Sequence, residues 1–113
     1  MDEAGFLALA NATLADMMER LDAAVGNVMD IDLQDGVLTI EIDDGGQYVV
    51  NKQAPMQQIW VSSPVSGAGH FDYDREREAW INSRSGAELM NLLAAEISSA
   101  AGQPSGLEPF ETQ

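Results

Sequence analysis

The chain contains no cysteine. That removes disulfide frameworks, thiolate nucleophiles and cysteine-ligated zinc or cluster sites at once. Cations are scarce as well: five Lys and Arg stand against nineteen Asp and Glu, for a net charge of −14. A phosphate backbone or an anionic membrane would meet a repulsive field, so neither suits this chain, whereas cations and basic protein surfaces do. No apolar run approaches the roughly 18 residues of a transmembrane helix. With one histidine, His70, a His-based metal triad cannot be built. Met1-Asp2-Glu3-Ala4-Gly5-Phe6 has no basic n-region and no Arg-rich amphipathic pattern, so neither a signal peptide nor a mitochondrial presequence is expected within it.

What is present suffices for one domain. The chain has 113 residues, 45% of them apolar, enough for a single core and too many for a disordered chain. Its charge is uneven. Met1 to Gly46 holds eleven acids and one Arg, Gln47 to Phe71 holds no acid, and Asp72 to Gln113 holds eight acids and three Arg.

Hydrophobic periodicity divides the chain. Leu7, Ala10, Leu14, Met17, Leu21 and Ala24 form one helical stripe, which predicts a helix from near Phe6 to Val25, stopped at Gly26. The period then falls to two. Met29, Ile31 and Leu33 alternate with Val28, Asp30 and Asp32, and after the tight-turn signal Asp35-Gly36, Leu38, Ile40 and Ile42 alternate with Val37, Thr39 and Glu41. Asp44-Gly45-Gly46 marks a second turn. Further short strands are expected at Tyr48–Lys52, Gln57–Ser62, Gly69–Tyr73 and Glu78–Asn82. A second helix is expected to begin at Ser85, where Ser85-Gly86-Ala87-Glu88 fits a capping box. It continues through Leu89, Leu92, Leu93, Glu96 and Ile97 and ends at Gly102 and Pro104. Residues 103–113 read as an irregular tail, packed on or near the domain of residues 1–102 through Leu107 and Phe110.

The order helix, about six strands, helix defines an α+β fold: an antiparallel meander with two terminal helices packed on one face. The other sheet face is left for solvent or a partner. In Gln58-Ile59-Trp60-Val61-Ser62, an inward Ile59 and Val61 put Gln58, Trp60 and Ser62 outside, next to an outward Asn51. An outward Trp among Asn and Gln suits an interface hot spot. A register shifted by one residue would bury it instead. Trp80 and the first-helix methionines read as core.

The segment Tyr48–Gly67 carries Asn51-Lys52-Gln53, Pro55, Gln58-Ile59-Trp60, Ser62-Ser63-Pro64 and Ser66-Gly67. It resembles the central motif of the frataxin family. Gly36-Val37-Leu38-Thr39, His70-Phe71-Asp72-Tyr73 and the closing Trp80, Gly86, Leu89, Leu92, Leu93 and Glu96 are similar to flanking motifs of that family. The resemblance spans Phe6 to Ala101. It implies an α/β sandwich that binds the complex of cysteine desulfurase and iron–sulfur scaffold protein and regulates cluster assembly there. Asn51, Lys52, Gln53, Gln58, Trp60, Ser63, Pro64 and His70 are the partner-binding residues it implies. It also implies weakly bound Fe²⁺ or Fe³⁺, a monomer able to form iron-dependent oligomers, and a bacterial cytoplasm, or the mitochondrial matrix had a presequence been removed. The chain departs from the family in a thinner acidic run on the first helix. Ala23, Ala24 and Val25 stand where acids are common, and His70 stands where eukaryotic members often carry Arg.

Asp16, Glu19 and Asp22 step by three along the first helix, and Asp30 and Asp32 share the wet face of the first strand. Together they are expected to form an acidic ridge. Carboxylates alone suit hard cations, with little selectivity among iron, Ca²⁺, Mg²⁺ and Mn²⁺. Such a site is open, hydrated and weak, which suits handing iron over; the plainer alternative is a solvated face that keeps the protein soluble. No catalytic residue is assigned. An iron oxidase converting Fe²⁺ to Fe³⁺ is the alternative function, although the chain lacks the Glu-x-x-His pair of di-iron carboxylate sites. A generic interaction domain working through Trp60 is a third reading.

Overall fold

A computed structural model describes residues 1–43 and 45–108. Among these, two helices enclose six strands in the order α1 (Glu3–Val25), β1 (Asp30–Gln34), β2 (Val37–Glu41), β3 (Gln47–Gln53), β4 (Gln58–Ser63), β5 (Gly67–Asp74), β6 (Ala79–Asn82) and α2 (Leu89–Ala101). Every strand pairs antiparallel with its sequence neighbour, so the sheet runs β1 to β6 in chain order. The α+β architecture is the one the periodicity predicts.

Helix α1 starts where Asp2, in extended backbone, accepts the Gly5 N–H on its carboxylate at 2.8 Å. This N-cap satisfies one of the donors that a helix start leaves orphaned. Its buried stripe is Phe6, Ala10, Leu14, Met17, Leu21 and Val25. At both ends the stripe lies one residue from the expected Leu7 and Ala24, because the bulkier Phe6 and Val25 take the core positions. The hairpin between β1 and β2 turns at Asp35 (φ 53°) and Gly36 (φ 77°), the two left-handed residues that a twist-matched two-residue turn requires. Gly45 (φ 95°) lies in the next turn; Asp44 and Phe110 fall outside the described residues.

Helix α2 begins later than expected. Asn82 Oδ1 accepts the N–H groups of Arg84 and Ser85 at 2.8 and 3.0 Å, and Asn82 N donates to Ala87 O at 2.8 Å. These bonds, with an Ile81–Glu88 bridge, hold residues 82–88 as a loop folded back on β6. Ser85 therefore bonds Ala87 N instead of capping, and Glu88 is the N-cap, accepting from Met90 N and Asn91 N. Gly102, at φ 71°, closes α2 as a left-handed C-cap.

Both helices lie on one sheet face. Leu38, Ile40, Tyr48, Val50, Ile59, Val61 and Phe71 point from the sheet into a core shared with Leu89, Leu93 and Ile97 of α2 and the α1 stripe. Trp80 is core, packed edge-on against Phe6 and Tyr73. Its indole N–H donates to Thr13 Oγ1 at 3.2 Å. No helix is long and apolar enough to cross a membrane among the described residues.

After α2 the chain returns to α1. Leu107 is 1% exposed. Arg20 Nε donates to Gly106 O at 2.8 Å, and Gln103 Nε2 donates to Ala24 O at 2.7 Å. Gly106, at φ 89°, passes so close to α1 that a Cβ there would stand 2.5 Å from Arg20 O. Glu108 fastens the segment: its carboxylate accepts from Ser98 Oγ at 2.6 Å and from Ser105 N, Ser105 Oγ and Gly106 N at 2.9–3.0 Å.

Leu107→Ala is expected to cost about 2–5 kcal/mol, the range for emptying a buried leucine site, measured by urea unfolding. The hydrogen bond from Ser98, aided by Ser105, lowers Glu108 from its ordinary 4.5 to about 2. A depressed carboxylate stabilises the fold fully above its unfolded value, and that contribution disappears as pH falls from about 4.5 toward 2. Glu108→Gln is expected to flatten that part of the acid unfolding profile, and an unchanged profile would remove Glu108 as the clasp.

Candidate functional site

The sheet face away from the helices carries one ordered row. Asn51 lies opposite Trp60, and Trp60 lies opposite His70. The Trp60 and His70 rings stack with centroids 4.4 Å apart and planes 17° from parallel. Gln58, two residues before Trp60 on the same face, fixes the indole by accepting its Nε1–H at 2.8 Å. The Gln58 amide nitrogen in turn donates to Asp72 Oδ1 at 3.1 Å. Gln58 is thereby buried on the outer face, while Trp60 is half-buried. Gln53 pairs with Gln58 across β3 and β4, and its enclosed Oε1 has no hydrogen-bond partner. Val37, opposite Asn51, extends the row to β2. The result is a face bearing a stacked Trp60–His70 pair, its indole held by Gln58, which is held in turn by the exposed Asp72 carboxylate.

Two of the expected partner residues lie on the other side. Lys52 pairs with Ile59, a core residue, so alternation turns its side chain toward the helix-covered face. There its Nζ lies against Gly36. Ser63 shares the inward side of β4 with Ile59 and Val61 and is 7% exposed. Its hydroxyl donates to Glu96 Oε1 at 2.6 Å and accepts from Val65 N at 2.9 Å and Ser66 N at 3.0 Å. Ser63 is thus an internal brace for the turn that exposes Pro64 and Val65, and not a surface contact. The same Glu96 oxygen accepts from Tyr48 OH at 3.0 Å. Glu96 appears in the sequence as the end of a helical motif, and nothing in that spacing points to the polar node it forms.

The acidic residues are only partly assembled. Asp30 and Asp32 project outward from edge strand β1, opposite Glu41 and Thr39. Glu41 is therefore a cross-strand neighbour of Asp30, a like-charge pairing that is itself unfavourable. The sequence held the signal: counting outward from the Asp35-Gly36 turn pairs these two positions. Asp30, Glu41 and Asp43 line an open cleft with Gly26 and Asn27 at the α1 C-terminus. Asp22 belongs near this edge, since its Oδ1 lies 2.8 Å from where a Cβ on Gly26 would stand. A carboxylate at a helix C-terminus opposes the macrodipole, and the last turn of α1 has no basic residue. Glu19 is exposed on the solvent side of α1.

Asp16 stands apart. Six residues of helix turn it roughly 120° from Asp22, and it pairs with Arg20 at 3.2 Å. Arg20 also donates to Gly106 O and Glu108 O, so Asp16 faces the C-terminal segment. The expected ridge is thus divided. Among the described residues no three His, Asp or Glu side chains converge as a metal cluster.

This fold and face define a small α/β sandwich whose uncovered sheet face carries an aromatic pair, with an acidic edge beside it. Residues 1–103 match the frataxin-like domain. The mitochondrial frataxin of Arabidopsis thaliana is 43% identical over 108 residues, which cover 92% of this chain and 58% of that protein. The iron–sulfur cluster assembly protein CyaY of Thioalkalivibrio sulfidiphilus is 41% identical, over 91% of this chain and 96% of its own. Among solved structures, the frataxin of Psychromonas ingrahamii superposes with a TM-score of 0.83 at 26% identity, covering 96% of this chain and all of that one. Trimeric yeast frataxin complexed with ferrous iron gives a TM-score of 0.69 at 36% identity, over 91% and 88% of the two chains. The chain belongs to the frataxin family.

Burial and then the Glu96 bond push the Tyr48 phenol from 10.0 up to about 12. Here the neutral form is the stabilised one, so the contribution is complete below about pH 10 and is lost as pH rises toward 12. Tyr48→Phe is expected to remove that part of the alkaline unfolding slope, as followed by circular dichroism.

Proposed function

We propose that this protein is an iron-binding accessory of iron–sulfur cluster assembly. It docks on the complex of cysteine desulfurase and scaffold protein and regulates sulfur and iron delivery there. The observation that carries this reading is the Trp60–His70 pair, locked by Gln58 on the sheet face the helices leave uncovered. A tryptophan held in one orientation loses little further freedom on binding, which is what an interface anchor needs. Asn51, Gln53, Gln58, Trp60, Pro64 and His70 form the docking set. The bacterial relative named as an iron–sulfur cluster assembly protein, which this chain matches over nearly its whole length, supports the assignment. The compartment follows that machinery: the cytoplasm in bacteria, the matrix in mitochondria.

Iron is cargo in this reading. Asp22, Asp30 and Asp32, joined by Glu41, present carboxylates beside a helix end that is already negative, and Glu19 adds to the field. A hydrated cation there relieves repulsion without a dedicated cage, which makes binding weak and release easy. The yeast relative complexed with ferrous iron supports iron as the natural cation. Asp16, committed to Arg20, contributes least. The oxidase reading has no specific geometric support, because no group of three ligating side chains assembles among the described residues.

Desulfurase turnover by a desulfurase–scaffold pair from the same source, with iron present, tests the docking face. Native protein is expected to change the rate, and Trp60→Ala to shift the half-maximal concentration at least about tenfold, from the roughly 2 kcal/mol typical of a hot spot. A folded variant with undiminished effect contradicts the docking face. For the acidic edge, millimolar Ca²⁺ or Fe²⁺ at low salt is expected to raise the melting temperature. The rise should shrink when Asp22, Asp30 and Glu41 are neutralised to amides, and no shift in the native protein contradicts the edge as a cation site.

A further inference from the structure

We infer that Glu96, on the helix behind the sheet, is a positioning residue for the docking face: through Ser63 it holds the Pro64–Gly67 turn so that Val65 meets the partner. The inference rests on the docking reading above and extends it to a residue that touches no partner.

A hydroxyl has one proton and two acceptor sites. At Ser63 both acceptor sites receive backbone N–H groups, from Val65 and Ser66. The proton must therefore leave in another direction, and it goes to Glu96 Oε1 at 2.6 Å. That short charge-assisted bond fixes the hydroxyl's rotation and, with it, the two bonds that shape the turn. The turn's tip is Val65, 69% exposed and the most open large apolar side chain among the described residues. It follows directly after β4, the strand that carries Gln58, Trp60 and Ser62 on the outer face. A turn held from behind presents Val65 beside that face at little entropic cost. Tyr48 shares the same Glu96 oxygen and also interacts with the Ser63 hydroxyl, but the Val65 and Ser66 N–H groups that shape the turn donate to Ser63 and not to Tyr48. It therefore serves as an internal control, separating loss of core stability from loss of turn geometry.

Four variants, Ser63→Ala, Glu96→Leu, Glu96→Gln and Tyr48→Phe, separate these roles. Affinity for the desulfurase–scaffold complex would be measured alongside hydrogen exchange of the Val65 and Ser66 amides in the free protein. Ser63→Ala and Glu96→Leu are expected to speed exchange at those two amides and weaken binding about tenfold, the loss of one charge-assisted bond's worth of order. Glu96→Gln keeps an acceptor oxygen and is expected to restore both. Tyr48→Phe is expected to lower the melting temperature while leaving affinity within about twofold. Combining Ser63→Ala with Val65→Ser should add little to Val65→Ser alone, because both act at one contact. Faster exchange without weaker binding overturns the positioning role, as does unchanged exchange in folded Ser63→Ala. If native protein fails to bind the complex, the docking reading falls and the Val65 contact with it. The exchange rates then still decide whether Glu96 and Ser63 hold the turn.

Discussion

Two helices can cover only one face of a six-stranded sheet, and the rest of this molecule follows from that limit. The alternation of side chains along each strand sorts residues into two populations with no intermediate choice. Ile59 and Val61 enter the core, so Gln58, Trp60 and Ser62 must stand outside. A tryptophan left on a water-facing sheet exposes apolar area that the fold could otherwise have buried. Here its cost is limited locally, by the His70 ring above one face and the Gln58 carbonyl on its N–H. Both are interactions of orientation, and neither is required by the core.

The two helices differ in what they lend to function. Helix α1 supplies the longer core stripe and, at its C-terminal end, a concentration of negative potential shared with edge strand β1. Helix α2 sends Glu96 through the core layer to the underside of the Pro64–Gly67 turn. The C-terminal segment links them by Leu107, Arg20 and Glu108. Charge follows the same partition. The acid-free middle of the sequence becomes the centre of the exposed sheet face, and the acid-rich first part becomes the edge. The acidic carboxylates and the Trp60–His70 face are therefore kept in separate places on a small domain.

Much of this was legible in the sequence because its signals are local. The α1 stripe, the Asp35-Gly36 turn and the strand alternation each depend on a few neighbouring residues, whereas the outward side of Trp60 stays open in the sequence until the pairing with Asn51 and His70 decides it. The family motif around Asn51 and Trp60 added the likeness to the frataxin family. What stayed hidden depends on contacts between distant residues. The capping signal at Ser85 lost to the loop built around Asn82, whose bonds pull Ala87 and Glu88 back to β6. Ser63 sits inside a motif of surface residues, yet strand parity turns it inward to Glu96. Lys52 is separated from Gln53 by the same parity. Asp16 steps in line with Glu19 and Asp22 on paper, but three-residue steps drift around a helix, and Arg20 captures it for the tail. Glu41 comes opposite Asp30 through the register that the Asp35-Gly36 turn sets, across a separation of eleven residues.

The central claim is that the uncovered sheet face meets protein while the acidic edge meets iron. Amide and indole NMR spectra of the labelled protein test both halves in one titration series. Added desulfurase–scaffold complex should perturb Asn51, Trp60, Val65 and His70 and leave Asp30 and Glu41 unmoved. Fe²⁺ alone should broaden Asp22, Asp30, Asp32 and Glu41 and spare Trp60. Perturbations by the complex confined to the helices, or iron broadening spread evenly over the domain, would contradict that division of surfaces.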